Sequence, residues 1–125
     1  MVIHQSAEDY LESVLALEER LGHGQVRSID IVNRLGFSKP SVSIAMKKLR
    51  ENGYITMAGD GAITLTDKGM EIASQVYDRH KTLTRLFERL GVSPGQAEVD
   101  ACKVEHDLSE ETYRKIVEFV EKTRA

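Results

Sequence analysis

The chain has one cysteine, Cys102, and so no intrachain disulfide; a lone thiol beside four methionines suits a reducing compartment. It has no uninterrupted apolar run near the roughly 18–20 residues that a bilayer-spanning helix needs. Its N-terminal stretch, Met1 to Glu12, carries acids and lacks the basic-then-apolar order of a secretory signal. These absences exclude secreted, disulfide-stapled and membrane-spanning proteins, and they predict a cytoplasmic one. Internal repeats, low-complexity tracts and long linkers are missing as well. So are a nucleophile elbow, a phosphate-cradling glycine loop and a zincin helix, which argues against an enzyme.

What is present is a periodic apolar pattern and an uneven charge. The 125 residues are 41% hydrophobic and 30% charged, enough to bury a core in one compact unit or two small ones. The net charge of −3 conceals a basic segment: residues 23–50 hold Arg27, Arg34, Lys39, Lys47, Lys48 and Arg50 against one acid, Asp30. That segment is +5 and the remainder −8. An acidic chain with one concentrated basic stretch can present a local phosphate-binding face.

Ser6-Ala-Glu-Asp predicts the cap and acidic first turn of a helix. Its apolar positions Tyr10, Leu11, Val14, Leu17 and Leu21 recur at helical spacing until Gly22 and Gly24. Ser28 is the next cap candidate, for a short helix filled by Ile29, Ile31, Val32 and Leu35 and closed by Gly36. A third helix follows, with Ser38 or Lys39 at its cap, Pro40 in its first turn and a stripe of Val42, Ala45, Met46 and Leu49. Two β-prone runs, Tyr54 to Met57 and Ala62 to Thr66, flank the hairpin-turn signal Gly59-Asp60-Gly61. A long helix from Asp67 carries Ile72, Ala73, Val76, Tyr77, Leu83, Leu86, Phe87 and Leu90 and ends at Gly91. Ser93-Pro94 opens a fifth helix to about His106, and Ser109 opens a sixth that runs to the C-terminus.

Helix, short helix, turn, helix and hairpin in that order spell a winged helix-turn-helix. On its third helix Ser41 and Ser43 suit base edges, Pro40 a thymine methyl, and Lys39, Lys47, Lys48 and Arg50 phosphates. Arg27 is counted with these DNA-binding cations. Taken alone, the lysines read equally well as the solvated side of an amphipathic helix; the five-element order favours DNA.

A second constellation suggests metal. Cys102, Glu105 and His106 fall at i, i+3 and i+4, placing a thiol, a carboxylate and an imidazole on one helix face. Soft, hard and intermediate donors together suit Fe2+, Mn2+, Co2+ or Zn2+ better than Ca2+ or Mg2+. Asp9 and Glu12 form an i, i+3 pair on the first helix, and His80 borders the apolar stripe of the fourth. Each also has a bland reading: a solvated acid pair complementing the helix dipole, a core histidine, a cysteine acting as a small hydrophobe. The predicted fold is therefore mainly α, with a winged helix-turn-helix DNA-binding domain over residues 1–66. A helical metal-binding and dimerisation domain is predicted over residues 67–125, the dimer resting on Val99, Ala101, Val104, Leu108, Ile116, Val117, Phe119 and Val120.

The ordered set Glu8-Asp9-Tyr10-Leu11-Glu12, Pro40-Ser41-Val42-Ser43, Leu65-Thr66-Asp67-Lys68-Gly69, Arg79-His80 and Cys102-Lys-Val-Glu105-His106, with Leu108-Ser109, spans nearly the whole chain. It resembles the diphtheria-toxin-repressor and manganese-transport-regulator family of metal-dependent transcriptional repressors. The resemblance implies that the first three helices and the wing bind a palindromic double-stranded operator. The later helices then form a metal site and a twofold homodimer, and divalent metal favours the DNA-binding form. It implies Asp9, Glu12, His80, Cys102, Glu105 and His106 as ligands. Asp9 and Glu12 follow the manganese branch, whereas Cys102 follows the iron branch, so the set is a hybrid for Mn2+ or Fe2+, with Co2+ or Zn2+ as further candidates. Ile44 stands where iron-type members carry glutamine, so one potential base contact of that branch is missing, and the chain, ending at Ala125, looks like a short form without an SH3-like domain. The expected role is repression of metal-uptake genes, with no membrane or small-molecule substrate as partner. Competing readings are a winged-helix regulator triggered by a small molecule or by oxidation of Cys102, a metalloenzyme, and a protein-interaction module that does not bind DNA.

Overall fold

The computed structural model describes residues 5–123, the side chain of Gln5 excepted. It contains α1 (Gln5–Leu21), α2 (Ser28–Leu35), α3 (Lys39–Glu51), β1 (Ile55–Met57), β2 (Ile63–Leu65), α4 (Asp67–Arg89), α5 (Pro94–Val104) and α6 (Glu110–Lys122). Two compact units divide inside α4, one ending at Gln75 and the other beginning at Val76. No helix among the described residues is long and apolar enough to cross a membrane.

The first unit is built around the residues that helical and strand periodicity mark. Tyr10, Leu11, Val14 and Leu17 of α1, Ile31 of α2 and Val42, Met46 and Leu49 of α3 are buried together with Ile55 and Ile63 of the hairpin. Such spacing puts one stripe of each helix inward, and burying each large aliphatic side chain contributes about 1.5–3 kcal/mol. The strands pair antiparallel with Ile55 opposite Leu65 and Met57 opposite Ile63. The turn closes where Gly61, at φ 90°, donates its N–H to the Ala58 carbonyl at 2.9 Å. The backbone N–H of Ile63 also reaches the Val26 carbonyl at 2.8 Å, tying the hairpin to the segment before α2.

The Thr66-Asp67-Lys68-Gly69 segment locks the hairpin to the end of α3. Thr66 Oγ1 accepts from the Gly69 N–H at 3.2 Å, capping α4, and donates to the Gly53 carbonyl at 2.6 Å. Lys68 Nζ donates to the Asn52 carbonyl and lies 4.3 Å from the centre of the Tyr54 ring. Gly69 is buried against the Tyr54 carbonyl, with no room for a Cβ.

In the second unit Ala97 and Ala101, one helical turn apart on α5, are fully buried, as are Leu83 and Val120 nearly so. Ala101 and Val120, predicted for a dimer contact, are thus covered within the single chain, whereas Val99, Val104 and Phe119 are exposed.

Several boundaries differ from those predicted. Helix α1 already includes Gln5, so Ser6 lies in its first turn, and the position preceding Gln5 falls outside the described residues. The cap of α2 is Arg27 and not Ser28, because Asp30 three residues on accepts the Arg27 N–H at 2.9 Å. Helix α5 ends at Val104, leaving Glu105 as its C-cap and His106 in the turn before α6. The Glu105 and Leu108 carbonyls there accept from Arg79 Nη1 at 3.2 and 2.8 Å, which fastens this turn to α4. Leu90 falls beyond α4 and is 70% exposed.

Candidate metal centre and recognition helix

In the second unit the predicted ligands His80, Glu105 and His106 converge. Nδ1 of His80, from the middle of α4, lies 3.0 Å from Glu105 Oε2, and Nε2 of His106 lies 3.5 Å from Glu105 Oε1. The Glu105 side chain is fully buried, and those of His80 and His106 are 14% and 3% exposed. An ionised carboxylate so deeply placed is costly unless cations or hydrogen-bond donors face it. Cys102, half-buried, precedes Glu105 by one turn of α5. Carboxylate, imidazoles and thiol form a donor set that a divalent transition ion fits.

Arg79 holds this arrangement in shape, a role that local sequence pattern does not reveal. Beyond its two carbonyl partners, its Nη2 meets Glu110 Oε2 at 3.1 Å, and its guanidinium lies 4.9 Å from the Tyr113 ring centre. The turn bearing Glu105 and His106 is therefore fastened to α4 at the residue next to His80. The one available signal was the Arg79-His80 pair itself.

In the first unit Asp9 and Glu12 lie on one face of α1. Asp9 is half-buried, and burial chiefly, with the Asp9 carboxylate second, raises the pKa of the neighbouring Tyr10 hydroxyl. Glu12 is only 5% exposed. Glu12, Ser13 and Glu105 are the buried polar residues among those described, and two of the three are predicted ligands. A solvated, dipole-complementing acid pair would not put Glu12 inside.

Helix α3 is capped by Ser38, whose Oγ accepts from the Ser41 N–H at 3.2 Å and donates to Ser41 Oγ at 2.8 Å. Lys39, Pro40, Ser41, Ser43, Lys47, Lys48 and Arg50 are all exposed. Arg27 is placed differently: half-buried, it donates from Nη1 to the Gly24 carbonyl at 3.1 Å and pairs through Nη2 with Asp60 in the hairpin turn at 3.2 Å. These contacts tie it to the hairpin turn, with the Arg27 and Asp60 side chains 33% and 66% exposed.

The first unit thus carries a helix-turn-helix and a wing, and the second a buried carboxylate–imidazole cluster; comparison with known proteins gives the family. The "Iron dependent repressor, N-terminal DNA binding domain" matches residues 3–63, and the "Iron dependent repressor, metal binding and dimerisation domain" matches residues 66–125. The chain belongs to the iron-dependent repressor family. That is a family of metal-dependent, DNA-binding transcriptional regulators. A regulator of the helix-turn-helix type from Methanocaldococcus jannaschii is 37% identical over 120 residues, covering 94% of each chain. The transcriptional regulator MntR of Salmonella typhimurium is 33% identical over 114 residues, 91% of this chain and 71% of that one. A manganese-dependent transcriptional repressor solved with manganese superposes at a TM-score of 0.78 and 27% identity, covering 91% of this chain. The chain spans only 52% of that structure, about half its length.

Proposed function

We propose that this iron-dependent-repressor chain is a homodimeric repressor of metal-uptake genes, switched by a divalent ion held by Asp9, Glu12, His80, Cys102, Glu105 and His106. The observation that carries the reading is the buried Glu105 carboxylate between two imidazoles. Residues 1–66 read DNA and residues 67–125 bind metal and pair the subunits; the chain is not an enzyme and works in the cytoplasm. When bound, the cation supplies the positive charge that lets three carboxylates, Asp9, Glu12 and Glu105, serve one point instead of repelling. The thiol of Cys102 shifts preference from Mn2+ toward Fe2+, Co2+ or Zn2+. Because α1 also packs on α2 and α3, ligation through Asp9 and Glu12 constrains the element that braces the recognition helix. The exposed apolar side chains Leu90, Val99, Val104 and Phe119 suit pairing of two copies. Two recognition helices held about 34–36 Å apart then fit one turn of a palindromic duplex.

Linkage requires metal and DNA to strengthen each other's binding by the same factor, typically about 5–150-fold. Duplexes selected from a random pool with Mn2+- or Fe2+-loaded protein are expected to be twofold symmetric and to bind at least about tenfold more weakly after chelation. Equal affinity with and without chelator overturns the proposal. Alanine at Lys47 or Lys48 is expected to weaken binding and flatten the log-affinity against log-salt slope by about one unit per lost phosphate contact. A slope matching the parent's would show that those ammonium groups touch no phosphate.

A further inference from the structure

We infer that Ile44 is a sequence-reading residue, contacting the 5-methyl group of thymine in the major groove; this rests on the DNA-binding reading of α3. At about 100° per residue, Val42, Met46 and Leu49 define the inward stripe of that helix. Pro40, Ile44 and Lys47, at i, i+4 and i+7, run down the opposite side. Ile44 is accordingly 57% exposed, the most outward large apolar side chain of α3. Helix propensity does not favour it there, since a β-branched residue is a poorer helix former than lysine or glutamine, and more than half of its surface is left uncovered by the fold.

Its surroundings suit one occupant. Ser43 and Lys47 flank it on one side, Ser41 and Lys48 on the other, all exposed. Ammonium groups on both flanks draw this face toward phosphates, which line both edges of the major groove. Between those edges the apolar group on offer is the thymine methyl, which distinguishes an A·T pair from the other pairs. An isoleucine with a lysine on either flank is thus chemically matched to a thymine between two lines of phosphates. Its other neighbours are Ala45, Tyr10 and Leu49, with which it lines an open groove against the start of α1. A side chain that only walled this groove would carry no sequence information.

The test removes a single methyl group. Duplexes are first selected from a random pool by the metal-loaded protein, and each thymine is then replaced in turn by deoxyuridine. At one or more thymines per half-site the change is expected to weaken wild-type binding about fourfold, as one buried methyl-sized group implies. At those positions Ile44→Ala is expected to bind thymine and uracil duplexes equally, while Ile44→Val keeps most of the discrimination. Lys39→Ala, which loses only a cation, is expected to bind more weakly yet keep the full uracil penalty. Uracil penalties identical in wild type and Ile44→Ala overturn the inference and leave the DNA-binding reading standing. So does an Ile44→Ala protein that keeps its discrimination but changes in sedimentation mass, which assigns this face to a second copy. A pool from which the wild type enriches nothing overturns the DNA-binding reading and this inference together.

Discussion

Replacing Gly69 with alanine is expected to lower the melting temperature by roughly 10–20 °C, the cost of overpacking by about 3 kcal/mol in a domain this small. A Cβ at Gly69 would overlap the Tyr54 carbonyl oxygen, and would stand 3.0 Å from its carbon and 3.4 Å from Leu65 Cδ2. The obstacle is backbone and cannot swing aside as a side-chain end would. That carbonyl also accepts the Thr66 N–H at 3.1 Å, so pushing it away breaks a second bond. The displacement then reaches Gly53, which the Thr66 hydroxyl holds at 2.6 Å, and the wing loses its seat at the end of α3. Gly95 is the matched control. It lies in the first turn of α5 with nothing within 4 Å of an added Cβ, so alanine there is expected to be neutral or to stabilise by up to about 1 kcal/mol. Thermal unfolding followed by circular dichroism reads both, and equal melting temperatures for Gly69→Ala and the parent would show that the Tyr54 carbonyl does not require glycine at position 69.

The same glycine shows what was legible in the sequence and what was not. Element order was readable because it is written locally: Gly36 and Gly91, both at positive φ, end helices, and Ser38 and Ser109 start them. Apolar periodicity likewise announced Leu11, Val14, Val42 and Met46 as core. Contacts between segments distant in sequence had no such signature. Gly69 belonged to a recognisable motif, but its reason, the Tyr54 carbonyl fifteen residues earlier, exists only in three dimensions. Arg79 bonds the Glu105 carbonyl from 26 residues away, at the point where a helix expected to carry His106 has already stopped at Val104. Arg27 was legible as a cation because charge is visible in sequence, whereas its ion pair with Asp60 in the hairpin turn was not. Donor spacing grouped Cys102, Glu105 and His106 and paired Asp9 with Glu12, while the full ligand set came from the family resemblance; spacing could not tell a solvated Glu12 from a buried one. Burial had to decide that, and at 5% exposure Glu12 is not a surface acid.

Glu105→Gln is expected to abolish stabilisation by metal. An ion at a hundred times its dissociation constant adds about 2.7 kcal/mol to a fold that binds it, which here corresponds to roughly 10 °C in melting temperature. Glutamine fills the same volume and retains an oxygen at the Oε2 position facing His80, but it lacks the charge that makes the site attractive to a cation. A loss of affinity of at least about 100-fold follows at a ligand, as against the 10–100-fold typical of residues that only support one. Metal added at the same concentration should then leave the variant's melting temperature nearly unchanged. If the wild type melts higher with Mn2+ or Fe2+ and Glu105→Gln responds equally, Glu105 holds no ion. The paired variant Glu12→Gln carries the argument to the other unit. Two ligands of one ion are not independent: removing either should erase the metal response, and removing both should cost nothing further. Two separate sites would behave differently, each single variant keeping part of the response and the double variant losing the sum. The double-variant cycle therefore asks, without reference to any distance, whether α1 and the end of α5 answer to the same cation, and non-additive loss is the outcome expected of a repressor whose DNA-reading and subunit-pairing parts are coupled through it.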